Sequence, residues 1–186
     1  MTSAGELFVR WRVRLGYPLA IAVLFFARPN PRSILYGALV GIIGLGLRAW
    51  AAGYLHKQKI LTVIGPYAYT RNPLYLGSAI LALGVAVAAR SWTSASIIAA
   101  YFVIVYSVVM RREEGELRAQ HGADFDRYAA AVSLFFPWFS SATSSKSASQ
   151  GAFSAAQYRK NHEWQAATGF VLLLAVLILI WRLRGS

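Results

Sequence analysis

The chain has 186 residues, of which 57% are hydrophobic and only 14% are charged, and its formal net charge is +12. In a soluble domain of this size, about a quarter of the residues are charged. The composition therefore excludes an ordinary water-soluble surface and indicates a membrane protein. The chain lacks cysteine, which excludes disulfides and thiolate chemistry, and its three histidines show no metal-ligand spacing, so we expect no metal site. The basic residues flank hydrophobic segments and form no basic run, which argues against a nucleic-acid partner.

Five apolar segments predict an all-α, polytopic membrane helical bundle with about five transmembrane helices. A spanning helix needs about 20 apolar residues, and the first segment reaches this length only by extending back through Val13 and Trp11. Phe25 just before Ala27 does not fit a signal-peptide cleavage site, so we expect this helix to be retained. The segments are Leu15–Ala27, Ile34–Leu55, Leu74–Ala89, Trp92–Met110 and Gln165–Trp181.

The connectors divide the chain and orient it. We expect an N-terminal segment with the first helix over 1–33, a core over 34–139, a Ser-rich linker over 140–152 and a C-terminal transmembrane helix over 153–186. The short turn Arg90-Ser91 predicts an antiparallel hairpin of the third and fourth segments. Alternate loops carry 14 Lys and Arg on one side and 5 on the other. The positive-inside rule therefore predicts a cytoplasmic N-terminus and a C-terminus on the opposite side.

The first polar motif, Gly65 to Tyr75, reads Gly-Pro-Tyr-Ala-Tyr-Thr-Arg-Asn-Pro-Leu-Tyr. Gly65 and the proline after it predict a turn, and Pro73 suits the first turn of the next helix. Arg71 and the tyrosine rings would bind a ligand that carries an aromatic base and a carboxylate. The same residues also suit an interfacial aromatic belt with an arginine that anchors a helix end.

The second polar motif, Arg111-Arg112-Glu113-Glu114-Gly115-Glu116, follows on the same predicted side of the membrane. Paired carboxylates bind an ammonium or ribose hydroxyls, or act as a base, whereas an ordinary solvated helix end would look the same. Beyond it, apolar residues at helical spacing from Phe125 to Phe136 predict an amphipathic helix in the interface. Arg48, late in the second segment, either reaches the cytoplasmic surface or turns inward.

Together the two motifs resemble the integral-membrane methyltransferases that include isoprenylcysteine carboxyl methyltransferases and phospholipid N-methyltransferases. The resemblance covers residues 34–139 and rests on Gly-Pro-Tyr-x-Tyr-x-Arg-Asn-Pro-Leu-Tyr, then, after one hairpin, on the Glu-Glu pair, and finally on Phe136-Pro137. It implies S-adenosylmethionine as cofactor at a cytoplasmic site. The implied cofactor contacts are Lys59, Leu61, Thr62, Tyr67, Asn72, Pro73, Leu74, Tyr75, Glu113 and Glu114.

The expected activity is therefore methyl transfer to a membrane-embedded amphiphile, either a lipid amine or an isoprenylcysteine-type carboxylate. Glu114 is the candidate base, and Arg71, Arg111 and Arg112 are candidate substrate contacts. Many relatives have histidine where Asn72 stands, and prenylcysteine enzymes have arginine where Val109 stands. Two alternatives remain open: an NADPH-dependent enzyme like the membrane sterol reductases, and a non-catalytic membrane scaffold or carrier. The sequence is silent on the identity of the acceptor and on the oligomeric state.

Overall fold

The protein is described by a computed structural model over residues 16–55, 60–137 and 152–184. These residues form an all-helical arrangement, in agreement with the predicted fold class. In chain order the elements are α1 Gly16–Phe26, α2 Pro31–Tyr54, a 3-10 helix Gly65–Ala68, α3 Pro73–Ala89, α4 Trp92–His121, α5 Ala123–Ala131, α6 Ala155–Lys160 and α7 Trp164–Arg184. The predicted linker lies almost entirely outside the described residues.

Three of these helices, α2, α4 and α7, are both long and apolar enough to cross a bilayer. The helices α1 and α3 are apolar but shorter than 18 residues. The protein is therefore an integral membrane protein, with three spanning helices supported among the described residues where the sequence predicted about five.

Local capping explains where α2 begins. Asn30 accepts a hydrogen bond from Ser33 N at 2.7 Å, and the Ser33 hydroxyl accepts one from Asn30 N at 3.0 Å. This reciprocal pair satisfies two backbone donors that a helix start leaves free, and Pro31 occupies the first turn, where it lacks only an N–H that needs no partner. The helix consequently begins three residues before the predicted boundary at Ile34.

The hairpin of α3 and α4 turns at Arg90, which has a left-handed backbone, and Ser91, which caps α4. This confirms the predicted hairpin. The predicted apolar span Trp92–Met110 is the first part of a longer helix, because α4 continues to His121. The residues after Met110 are mostly good helix formers, and Arg112 and Glu116 form an i, i+4 ion pair at 2.8 Å.

Helices α2 and α3 touch along a line of glycines. A Cβ atom on Gly84 would lie 2.7 Å from the Gly37 carbonyl oxygen, and one on Gly44 would lie 2.7 Å from the Gly77 carbonyl oxygen. Such distances allow no side chain, so glycine is required for this close approach.

The segment that leads into α7 packs on the C-terminal end of α2. The Ser154 amide donates to the Gly53 carbonyl at 3.1 Å, and the Asn161 side chain donates to the Ala52 carbonyl at 2.8 Å and to the Leu55 carbonyl at 3.1 Å. The last carbonyls of a helix have no partner within the helix, so these contacts satisfy groups that α2 cannot satisfy itself. They fix the start of α7 beside α2.

Candidate functional site

The bend between α2 and α3 depends on one glycine. Gly65 has φ +60°, a left-handed conformation that favours glycine, and a Cβ atom there would lie 2.8 Å from the Tyr54 ring. Pro66 then begins the 3-10 helix, and Pro73 begins α3. The bend therefore delivers residues 67–75 to one end of the bundle, as the turn residues predicted.

The Tyr128 side chain on α5 and the backbone carbonyls after α5 hold the bend in place. The Tyr128 hydroxyl donates to the Tyr67 carbonyl at 2.7 Å. The Thr70 hydroxyl donates to the carbonyl of residue 135 at 2.9 Å, and the Asn72 side-chain amide donates to the carbonyl of residue 134 at 3.0 Å. Because Thr70 and Asn72 are buried, these bonds both satisfy them and fix the backbone on either side of Arg71.

The two polar motifs meet across the α3–α4 hairpin. The Tyr75 hydroxyl donates to a Glu113 carboxylate oxygen at 2.5 Å. Four residues before Tyr75, Arg71 forms an ion pair with the neighbouring glutamate. Its Nη1 atom lies 3.0 Å from Glu114 Oε1. This second contact is electrostatic rather than a well-aligned hydrogen bond, because Glu114 Oε1 accepts no hydrogen bond from the described residues. Each member of the glutamate pair is therefore matched to one residue of the bend or of the first turn of α3.

A cavity of about 620 Å³ opens beside these contacts. This volume lies within the range of about 300–1,000 Å³ that is common for small-molecule sites. Its lining combines the bend, residues of α2, α3 and α4, and the residue that precedes α7. The lining residues are Arg48, Leu55, Tyr67, Arg71, Asn72, Pro73, Leu74, Tyr75, Ser78, Tyr101, Val105, Tyr106, Val109, Glu113, Glu116, Leu117, Gln120 and Glu163.

The cavity is acidic although the protein is strongly basic. Three glutamates and two arginines line it, whereas the whole chain has 19 basic and only 7 acidic residues. Both arginines are paired with carboxylates, Arg48 with Glu163 and Arg71 with Glu114. A positively charged ligand is therefore favoured in this cavity over a purely anionic one.

Three buried donors on the cavity lining have no hydrogen-bond partner among the described residues: Arg48 Nε, Arg71 Nε and the Tyr67 hydroxyl. An unsatisfied buried donor costs about 1–3 kcal/mol, so each is a ready contact for a ligand oxygen. Burial, with added repulsion from nearby groups that include Glu163 and Glu113, raises the pKa of Tyr67 well above its ordinary value. Its hydroxyl is therefore a protonated donor, and it interacts electrostatically with Glu163 and Glu113.

A second polar contact lies at the wall formed by α2 and α7. Arg48 Nη2 donates to Glu163 Oε2 at 2.7 Å, and Nη1 donates to the Leu74 carbonyl at 3.3 Å and to the Ser78 hydroxyl. Arg48 thus turns inward, which resolves the choice that the sequence left open. Leu74 and Ser78 share one face of α3, toward α2, while Tyr75 is rotated toward α4. The cavity therefore has one polar cluster on each side of α3.

Sequence reasoning missed Glu163 as a cavity residue. Its neighbourhood in the sequence is a polar segment before an apolar helix, which gives no sign of the contact with Arg48. The one available signal was Arg48 itself, because an arginine within an apolar span needs a partner. The only acidic residue after position 126 is Glu163.

Most of the predicted site residues on the bend and on α3 line the cavity, together with one of the two glutamates. These are Tyr67, Arg71, Asn72, Pro73, Leu74, Tyr75 and Glu113. Others lie elsewhere: Leu61 packs on the cluster around Phe125, Thr62 is buried outside the lining, and Glu114 faces Arg71.

The two arginines of the second motif are not on the cavity lining either. Arg111 is exposed, and Arg112 pairs with Glu116 on the surface of α4. Lys59 lies outside the described residues. Within 16–55, 60–137 and 152–184, no group of three or more metal-ligating side chains is found.

Comparison with protein families supports the motif-based resemblance. Residues 34–124 match the family model described as phospholipid methyltransferase. The matched segment contains α2, the bend, α3 and α4, and so carries both polar motifs. The match confirms the resemblance to the membrane methyltransferases of the isoprenylcysteine and phospholipid type.

Two curated bacterial relatives are similar to this chain. The nickel-cobalt-cadmium resistance protein NccN of Alcaligenes xylosoxydans xylosoxydans is 34% identical over 104 residues, which cover 53% of this chain and 48% of the relative. The cobalt-zinc-cadmium resistance protein CzcN of Cupriavidus metallidurans is 30% identical over 134 residues, which cover 68% of this chain and 62% of the relative. The chain thus spans about half to three fifths of these relatives. No solved structure matches it.

Proposed function

We propose that the protein transfers a methyl group from S-adenosylmethionine to a membrane-embedded amphiphile. The observation that carries this proposal is the meeting of Tyr75 with Glu113 and of Arg71 with Glu114 at one cavity, inside the segment that matches the methyltransferase family. The proposed catalytic unit is the predicted core, 34–139, together with the start of the C-terminal segment.

The cavity residues fit the chemical groups of S-adenosylmethionine. A sulfonium and an ammonium are positively charged, and the lining offers Glu113, Glu116 and Glu163. A carboxylate needs donors, and Arg71 Nε and the Tyr67 hydroxyl are buried donors without partners among the described residues. Tyrosine rings, such as that of Tyr106, offer faces to a cation or an adenine.

We assign the cofactor to Tyr67, Asn72, Pro73, Leu74, Tyr75 and Glu113, with Arg71 as donor to its carboxylate. When bound, S-adenosylmethionine would supply a methyl group on a positively charged sulfur. The nucleophile attacks the methyl carbon, and the sulfur leaves on the opposite side. Tyr75 orients the Glu113 carboxylate, and the side chains of Val105 and Val109 make part of the cavity lining apolar. Holding both reactants in one dry site contributes up to about 7–11 kcal/mol to such a reaction.

Lys59, Leu61 and Thr62 stay proposed cofactor contacts implied by the family resemblance, and Arg111 and Arg112 stay proposed substrate contacts, although the described ones lie off the cavity lining. Glu114 stays the candidate base for an acceptor that arrives as an ammonium. Its ion pair with Arg71 favours the additional role of holding that guanidinium at the bend. The excess of Lys and Arg on one side supports the proposal of a cytoplasmic cofactor site.

Calorimetric titration of the purified protein with S-adenosylhomocysteine tests this function. We expect saturable binding, and no binding at millimolar ligand would reject the proposal. Titration with NADPH in parallel decides against the reductase alternative if only S-adenosylhomocysteine binds. Incubation of host membranes with methyl-labelled S-adenosylmethionine then identifies the lipid fraction that gains the label.

A further inference from the structure

Glu163 comes from outside the segment that matches the methyltransferase family, yet it lines the same cavity as Tyr75 and Glu113. Its side chain is only 11% exposed. One carboxylate oxygen, Oε2, is bound by Arg48, and the other, Oε1, has no hydrogen-bond partner among the described residues. A nearly buried carboxylate is costly unless its oxygens are hydrogen-bonded. The unpartnered oxygen on the cavity wall is therefore suited to accept a hydrogen bond from a ligand.

The position of Glu163 separates it from the proposed cofactor contacts. It meets Arg48 on the α2 side of α3, whereas the contact between Tyr75 and Glu113 lies on the α4 side. Arg48 stands six residues before the end of α2 at Tyr54, which is roughly 9 Å along the helix axis. The Arg48–Glu163 pair therefore forms the wall of the cavity on the α2 side, across α3 from the Tyr75–Glu113 contact.

The charges on this wall favour an amine over an anion. Arg48 is paired with Glu163, and Arg71 with Glu114, so the two guanidiniums add no net positive charge to the cavity. Glu163 Oε1 accepts a hydrogen bond from an N–H donor. The Tyr67 side chain, on a residue that is 7% exposed, lines the same cavity, and its hydroxyl has no partner among the described residues. An anionic head would instead lie against the carboxylates of three glutamates.

We propose that Glu163 binds the amine of the methyl acceptor, so that the acceptor is an amine-bearing amphiphile. This inference rests on the proposed methyl transfer, and it assigns to the segment 152–163 the acceptor wall of the cavity. Arg48 is a positioning residue here, because its hydrogen bond to Oε2 fixes the Glu163 carboxylate and leaves Oε1 available to a ligand. The amine attacks as the uncharged base, so its proton passes to a carboxylate or to water before the nitrogen–carbon bond forms.

Binding of three amphiphiles with the same chain and different heads tests this inference. The probes are dodecylamine, dodecanoate and dodecanol, titrated into the purified protein in a neutral detergent and followed by native mass spectrometry. We expect dodecylamine to bind about tenfold or more tightly than the other two. Equal binding of the three, or a preference for dodecanoate, overturns the inference without any variant.

The variant Glu163→Gln keeps the shape of the side chain and removes its charge. We expect it to lose most of the preference for dodecylamine while its affinity for S-adenosylhomocysteine changes less than about threefold. Asp126→Asn, which removes a carboxylate paired with Arg118 outside the cavity lining, is the matched control and keeps the preference.

The outcomes separate the two proposals. If Glu163→Gln lowers thermal stability but keeps the dodecylamine preference, Glu163 is only structural and the inference fails. If Glu163→Gln does not fold, Glu163→Asp, with its carboxylate one carbon further back, must still prefer dodecylamine over dodecanoate. If the wild-type protein fails to bind S-adenosylhomocysteine, the methyl-transfer proposal fails, whereas the comparison of the three probes does not use the cofactor and still decides the role of Glu163.

Discussion

Arg48 Nη2 on α2 lies 2.7 Å from Glu163 Oε2, just before α7. The contact joins positions that are 115 residues apart in the chain. Arg48 lies within the segment that matches the methyltransferase family, and Glu163 lies outside it. The pair therefore makes the C-terminal segment part of the cavity and more than a membrane anchor. Their side chains are 19% and 11% exposed, so little water screens the interaction.

A double-mutant cycle on this pair tests its strength. Removing one partner leaves the other charge nearly buried and alone, which costs about 3–5 kcal/mol for a fully buried pair and less at this exposure. We expect Arg48→Gln and Glu163→Gln each to lower the melting temperature in detergent, by about 2–4 °C for each kcal/mol lost. The double variant should lose less than the two single losses together. Strictly additive losses would show that the two side chains do not interact.

Glu113 should distinguish the two forms of the cofactor by charge. S-adenosylmethionine carries a positive sulfur and S-adenosylhomocysteine does not, so a carboxylate near the sulfur favours the former. We expect Glu113→Gln to weaken binding of S-adenosylmethionine about tenfold or more and that of S-adenosylhomocysteine clearly less. Calorimetry with both ligands measures the difference.

The control for this experiment is Asp126→Asn, because that carboxylate lies outside the cavity lining and should leave both affinities unchanged. Equal weakening of both ligands by Glu113→Gln would instead mean that Glu113 supports the fold of the site and does not sense the sulfonium. Tyr75→Phe should produce a smaller loss of the same kind, since it removes one hydrogen bond to the Glu113 carboxylate and keeps the carboxylate itself.

Local features of the sequence were enough to predict the all-helical class, the hairpin of α3 and α4, and the bend. The apolar segments, the turn at Arg90 and the position of Pro73 each follow from short-range preferences that the structure retains. The meeting of the bend with the Glu113–Glu114 pair was also predictable, because a short hairpin brings both to the same end of the bundle. Whether those residues bind a cofactor stays a prediction.

Contacts between distant segments were not predictable. The Asn161 side chain satisfies carbonyls at the end of α2, and this long-range bond brings Glu163 to Arg48. No spacing rule relates positions separated by more than 100 residues. The change from apolar to charged residues after Met110 ends the predicted span and not the helix, so α4 extends beyond that span.

Two buried tyrosines at the bend should respond oppositely to loss of the hydroxyl. Tyr128→Phe removes the buried hydrogen bond to the Tyr67 carbonyl and should cost about 1 kcal/mol. Tyr67→Phe removes a hydroxyl that has no partner among the described residues, so the ligand-free protein should keep or gain stability. Its affinity for S-adenosylhomocysteine or for dodecylamine should fall. Thermal melts and titrations of both variants measure these effects, and a destabilised Tyr67→Phe protein would contradict the assignment.

The same tyrosine predicts how stability depends on pH. Burial, followed by the charges of neighbouring groups, raises the pKa of Tyr67 above its ordinary value of 10.0. The unfolded chain therefore loses this proton near pH 10, while the folded protein retains it. Stability from this group is full below pH 10 and is lost as the pH rises further. We expect the melting temperature of the wild type to fall more steeply above about pH 10 than that of Tyr67→Phe, and parallel curves would contradict this.

The glycine contact between α2 and α3 should tolerate no added methyl group. A Cβ atom at Gly84 would lie 2.7 Å from the backbone of both Gly37 and Gly41, and backbone cannot move aside as a flexible side chain does. We expect Gly84→Ala to cost about 1–3 kcal/mol and to lower the melting temperature in detergent.

Gly46→Ala is the matched control on α2, because nothing lies within 4 Å of its added Cβ. Alanine forms helix better than glycine by about 1 kcal/mol, so Gly46→Ala should be neutral or stabilising. An equal effect of the two substitutions would mean that the helices do not pack through Gly84, and the wall that carries Arg48 would then not be held against α3.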